Sequence, residues 1–278
     1  MIKYYKTFAI LGLIIWAGFA MGKEAQDIVR LSEPTPLTDA TPVFAQLPVM
    51  TVEDAVKAAR DAGVSEKTIS RLLIAVLEKR VSVEKLVHII ERLIRAQKEG
   101  IPLQILEEKI DEGLAKRVSE QKIISMLDRK RDNFVFVRDL VRTTMQGDED
   151  IQVTDIVKLT DSMRAGVSRE ELILLFENVP EAPIEMRITG AYILGYCKQI
   201  RFDPNITRRI VFVGLQKRSL TKKWKYLAKV VAVAKKRGLS NERIGDAAIS
   251  ILEKGKSFED FMELLEFTDR AIRRNPIE

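Results

Sequence analysis

Three lysines within four residues, Lys222, Lys223 and Lys225, enclose Trp224 and run into Tyr226. Thr221 before them is a capping residue, and the apolar run Leu227–Val233 after them predicts a helix that opens at Lys222 and closes at Lys235-Lys236-Arg237-Gly238. Basic residues at its far end suit the negative pole of the helix. At the near end they oppose the positive pole, at roughly a few tenths of a kcal/mol each. Free backbone N–H groups, ammonium groups and an adjacent Trp and Tyr would together suit an anion. Arg208-Arg209 and Lys217-Arg218 could extend the patch. The candidate anion- or partner-binding residues are therefore Lys222, Lys223, Lys225, Trp224, Arg208 and Arg209.

These residues sit in a segregated charge pattern. Residues 198–243 hold fourteen basic side chains and two acidic ones, Asp203 and Glu242, whereas the whole chain carries a net charge of +6. The remainder is thus acidic overall. Two readings follow. The basic stretch either binds an anionic envelope component or an acidic protein surface, or it is neutralised by the acidic part of the same molecule. Nucleic acid is disfavoured, since no recognised binding motif accompanies the charge.

Other chemistry finds little equipment. One histidine, His88, and one cysteine, Cys197, exclude paired-histidine metal sites and internal disulfides. His88 lies among Leu86, Val87, Ile89 and Ile90 and reads as a structural histidine. Cys197, in the apolar run Tyr192–Cys197, reads as a buried small hydrophobe. No glycine-rich phosphate loop is present, and Gly190 and Gly195 read as places of close helix contact. Paired acids at Glu107-Glu108 and Asp148-Glu149-Asp150 could serve a glycosidase, but acids on helix surfaces are usually solvated. No cofactor, no metal and no enzymatic activity are expected.

The elements that must hold these groups are helical. Residues 1–22 combine two lysines with a 15-residue uncharged, largely apolar run and small residues after it, the pattern of a secretory signal peptide, with a retained membrane anchor as the alternative. The expected place is periplasmic or secreted. Residues 23–50 carry four of the nine prolines and read as a Pro-rich linker. From Thr51 a short punctuation recurs: Ala62-Gly63-Val64-Ser65, Lys79-Arg80-Val81-Ser82, Glu99-Gly100-Ile101-Pro102, Lys116-Arg117-Val118-Ser119, Ala165-Gly166-Val167-Ser168, Arg237-Gly238-Leu239-Ser240 and, more weakly, Lys254-Gly255-Lys256-Ser257. Glycine ends one helix in the left-handed region and serine caps the next. Val64 and Ile101 stand 37 residues apart, as do Val81 and Val118. That period predicts an all-α fold of stacked antiparallel helix pairs, solenoid-like or irregular, with about thirteen short helices. Phe134-Val135-Phe136-Val137 has strand propensity but no partner strand, so a helix from near Asp132 is expected. Residues 51–146 and 147–278 form the expected N-terminal and C-terminal helical arrays.

Two resemblances accompany this reading. Glu185–Cys197, with Arg187, Gly190-Ala191 and Leu194-Gly195, looks like the first half of a HEAT repeat, and the likeness covers about one repeat, residues 183–217. HEAT repeats are helix pairs used mostly as protein-binding scaffolds. Gly100-Ile101-Pro102, Lys109 and Glu112-Gly113-Leu114-Ala115-Lys116 are similar to a helix-pair pattern of uncharacterised exported bacterial proteins, which implies no activity. The resulting expectation is an exported, non-catalytic scaffold for a protein or peptide of the cell envelope. The alternatives are a binder of anionic polymer or lipid head groups and a carboxylate-dependent glycan-cleaving enzyme.

Overall fold

The punctuation does locally what its chemistry requires. Thr51, Ser65, Ser82, Ser168, Ser240 and Ser257 each accept a hydrogen bond from a backbone N–H in the first turn of the following helix, and at Ser168 and Ser257 an acid three residues on completes a capping box. Gly63, Gly100, Gly166, Gly238 and Gly255 take positive φ at the helix ends. Lys79, Arg117, Arg201 and Arg218 adopt the same conformation at other turns, with φ between 52° and 56°.

The computed structural model describes residues 51–145 and 151–267. Among them are twelve α-helices, one 3-10 turn at Lys222–Tyr226 and no strand, so the fold is all-α. The helices are α1 (Val52–Asp61), α2 (Glu66–Leu77), α3 (Val83–Lys98), α4 (Leu103–Ala115), α5 (Glu120–Thr144), α6 (Val153–Arg164), α7 (Arg169–Glu177), α8 (Ile184–Gln199), α9 (Pro204–Gln216), α10 (Leu227–Lys236), α11 (Asn241–Glu253) and α12 (Phe258–Leu264). Early helices pack on those two ahead, α1 on α3, α2 on α4 and α3 on α5, which is the pattern of stacked pairs. The stack continues from α5 through α6 to α8, while α9 lies between α8 and α11.

The stacking step is written in the polar contacts. The Ser65 N–H donates to the Glu107 carboxylate at 2.8 Å, and the Ser82 N–H donates to that of Glu120 at 2.6 Å, so a later helix pair helps cap an earlier one. Arg92 meets Asp128, Arg131 meets Glu99, Arg218 meets Glu181 and Lys223 meets Glu259, all between 32 and 37 residues apart. The period therefore persists past the two copies legible in the punctuation. Val167, Phe202 and Leu239 stand 35 and 37 residues apart at equivalent turns. The middle copy escapes a search for Gly and Ser because Arg201 holds the left-handed position and Asp203 is the cap.

One expectation needs correcting. No helix begins near Asp132; α5 is one 25-residue helix from Glu120, and Phe134, Val137 and Val141 continue the buried face begun by Ile123, Ile124 and Leu127. Its length interrupts the regular pair spacing. The expected break at 147–150 lies outside the described residues, as do the signal segment and linker. The helices on either side, α5 and α6, pack together within a unit that begins at Met50.

The core is mainly aliphatic, with one buried guanidinium. Arg187 is fully buried and donates to the carbonyls of Phe176, Pro180 and Ala182 at 2.9, 2.6 and 2.8 Å, while lying over the Phe176 ring. It fixes the α7–α8 turn by satisfying backbone acceptors that burial would otherwise leave unpaired. A Cβ at Gly195 would stand 2.8 Å from Ala165 Cβ, and one at Gly190 2.9 Å from Val211 Cγ1. Both glycines thus serve close helix contact. Cys197 is buried in the same helix, and burial pushes its thiol up to about 12, with the Thr207 hydroxyl opposing. His88 is part-exposed, 3.1 Å from Glu91 and 3.6 Å from Glu84.

Candidate functional site

The lysine cluster does not open an α-helix. Lys222–Tyr226 is a 3-10 turn, Thr221 makes no side-chain cap, and α10 starts only at Leu227. The reason is Trp224. Its ring is fully buried, at 5.2 Å from Phe258 and 5.3 Å from Phe261 between centroids. The chain is turned to drive that side chain into α12, so Trp224 is part of the core and lines no exposed site. Its indole N–H has no acceptor among the described residues.

The remaining candidates separate. Lys223 pairs with Glu259 at the start of α12 and draws that carboxyl below the usual glutamate range. Lys222 is exposed on the turn. Arg208 and Arg209 line their own shallow depression on α9, beside Asn205 and Phe212. Lys225 turns the other way, towards α8. The basic stretch is partly compensated from within, since Lys198 pairs with Glu171 at 3.4 Å and Arg218 with Glu181 at 3.3 Å.

Lys225 belongs to a groove of about 520 Å³ between α8 and the start of α10. Its walls carry Tyr192, Tyr196 and Gln199 from α8, Lys225 and Tyr226 from the turn, and Lys229 from α10. Tyr192 and Tyr196, one helical turn apart, stack with centroids at 5.9 Å and planes at 19°. The ammonium groups of Lys225 and Lys229 lie 5.0 and 5.7 Å from the centroid of the Tyr226 ring. No carboxylate lines the groove, and neither lysine is in an ion pair among the described residues. Burial, then Asp161 and Tyr196, raise the Tyr192 phenol above its usual value, so it stays a neutral hydroxyl that can donate or accept. A surface of aromatic faces, hydroxyls and two uncompensated cations can hold an amphipathic anionic group.

A second cleft, of about 380 Å³, lies among α4, α5 and α6 and includes Met126, Met163, Arg129 and Arg164. Its carboxylates are occupied. Glu112 is bound by Lys109 and by Lys116, which hold its carboxyl down to about 2, and Asp161 takes Lys130 at 3.2 Å. A carboxyl in that condition stays ionised and cannot act as a proton donor near neutral pH. Of the acid pairs read from sequence, Glu107 accepts the Ser65 N–H and Glu108 accepts from Gln104, while residues 148–150 lie outside the described ones. No group of three or more metal-ligating side chains occurs among the described residues, and no helix there is long and apolar enough to cross a membrane.

Tyr192, Tyr196 and Lys229 are the functional candidates that sequence reasoning missed. The available signal was double: Tyr192/Tyr196 and Lys225/Lys229 are both four-residue pairs, the spacing that puts side chains on one helical face. Tyr192, Tyr196 and Tyr226 are also the only tyrosines among the described residues, and all three reach this groove. No protein-family model, curated protein or solved structure matches the chain.

Proposed function

We propose that this chain is an exported, non-catalytic helical-repeat scaffold that holds a protein or peptide partner of the cell envelope, with the α8–α10 groove as its contact. Helix α8, the first of the HEAT-like pair, supplies one wall. The observation that carries the reading is the convergence of Tyr192, Tyr196 and Tyr226 with Lys225 and Lys229 on a groove that contains no carboxylate. Tyrosine offers a large, stiff apolar face with a polar tip, which is why it recurs where protein partners are anchored. Export rests on the pattern of residues 1–22. The non-catalytic part is supported by the commitment of the second cleft's two carboxylates, Glu112 and Asp161, to lysines, and of Glu107 to a helix cap.

A photo-crosslinking residue at Tyr196 tests this in intact cells, with one at Leu77 as the control. Leu77 is 82% exposed and is the most solvent-facing large apolar side chain among the described residues, so it stands for non-specific stickiness. The expected result is a discrete polypeptide adduct at position 196 and none at 77. The same adducts at both positions, or none at 196, would contradict the proposal.

A further inference from the structure

The groove's charge narrows what the partner presents. Resting on the scaffold reading above, we propose that the groove recognises an acidic peptide segment. A carboxylate of that segment sits between Lys225 and Lys229, and its neighbouring apolar side chains lie on Tyr192 and Tyr196. Both ammonium groups lie near one ring, 5.0 and 5.7 Å from the Tyr226 centroid. The acids that neutralise the rest of this region are already used: Glu171 by Lys198, Glu181 by Arg218 and Glu259 by Lys223. An incoming carboxylate would supply the counter-charge that neither lysine has within the described residues, through charge-assisted hydrogen bonds.

The distribution of charge favours a peptide over a polyanion or a bilayer. An extended polyanion is held by many cations along a strip, but the candidate strip does not assemble. Arg208 and Arg209 line a different depression, Lys223 is neutralised and Trp224 is internal. A lipid surface would reach Tyr196 and Tyr226, which are 42% and 43% exposed, but it too is held by many cations spread over a face, and only Lys225 and Lys229 stand beside these rings. Two cations beside a stacked pair of tyrosines match a short segment that alternates carboxylate and apolar groups, with electrostatics setting specificity and the aromatic floor setting residence.

The test uses the full-length chain and a rhodamine-labelled hexapeptide of alternating Glu and Leu, followed by fluorescence anisotropy. The same peptide with every Glu replaced by Gln, heparin, and vesicles containing phosphatidylglycerol are run beside it. The Glu peptide should bind at least about tenfold more tightly than the Gln peptide, and the difference should shrink as salt is raised. Lys225→Gln/Lys229→Gln should abolish that preference. Tyr192→Ala/Tyr196→Ala should weaken both peptides alike, and Lys222→Gln, outside the groove, should change neither. Circular dichroism of each variant confirms that it is folded. Equal binding of the two peptides would overturn the acidic specificity and leave the scaffold intact. Heparin or vesicles binding through Lys225 and Lys229 while neither peptide binds would overturn the specificity and the scaffold reading together. Failure of every probe to bind would overturn the acidic specificity, and the crosslinking at Tyr196 then decides the scaffold reading by itself.

Discussion

The N-terminal helices α1–α5 and the C-terminal helices α8–α12 are stacked with nearly the same residue step and share ion pairs between helix pairs, but differ in what reinforces the stack. In the first region charges reach from pair to pair: Lys67 and Arg71 to Asp111, Arg92 to Asp128, and Arg131 to Glu99 through two hydrogen bonds of 2.6 and 2.7 Å. In the second, Trp224, Phe258 and Phe261 form an aromatic cluster under α12, and Arg187 secures the approach from α7. Part-exposed ion pairs contribute at most about 1 kcal/mol each, whereas a fully buried Trp contributes several times that. The N-terminal region thus spends its charges on cohesion. The C-terminal region adds aromatic burial to its own Arg218–Glu181 and Lys223–Glu259 pairs, and Lys225 and Lys229 stay uncommitted beside the tyrosines.

That contrast can be broken most severely at Trp224. Trp224→Ala should cost about 3–5 kcal/mol in urea unfolding, because it empties the space between Phe258 and Phe261. A loss below about 1 kcal/mol would mean that the aromatic cluster does not secure α12. Arg187→Met should follow at about 2–4 kcal/mol, since three buried carbonyls lose their donor. Arg131→Gln should cost only about 0.5–1 kcal/mol, and less in high salt. If it instead matches Arg187→Met, ion pairing and burial are not the separate mechanisms described.

Acid sharpens the same comparison. Glu99 is held below the usual glutamate range by its hydrogen bonds from Arg131, and Glu112 down to about 2 by Lys109 and Lys116. Their folded values lie below their unfolded ones, so their stabilisation is present above the ordinary glutamate pKa and lost as pH falls through the folded values. The thermal midpoint should therefore drop between about pH 4.5 and pH 2. Glu99→Gln/Glu112→Gln should flatten that drop, and an unchanged slope would place the acid-sensitive pairs elsewhere. The smallest effect belongs to Cys197. Its buried thiol should resist alkylation at pH 8 in the folded protein and react only on unfolding; rapid labelling of the native chain would contradict the packing of α8.

What was legible in the sequence was local. Ser65, Ser82 and Ser168 cap helices wherever they sit, and Gly63 and Gly100 end them, so helix boundaries and the pair spacing could be read directly. The copy at Arg201-Phe202-Asp203 was hidden because a left-handed arginine carries no signature of its own. The lysine cluster was legible as charge and misread as a helix start. Trp224 is drawn inward by Phe258 and Phe261, more than thirty residues downstream, and no local pattern announces that. The groove needed topology for the same reason. Tyr192 and Tyr226 are ordinary helix and turn residues until α8 is laid against the 3-10 turn.

Nuclear magnetic resonance of tyrosine rings and methionine methyls, titrated with the acidic hexapeptide, separates the two regions in one experiment. Tyr192, Tyr196 and Tyr226 line the α8–α10 groove, whereas Met126 and Met163 line the cleft among α4, α5 and α6. The tyrosine signals should shift together while those of Met126 and Met163 stay fixed. Shifts at the two methionines with still tyrosines would move the binding surface into the ion-paired region and contradict the division of labour between the two halves.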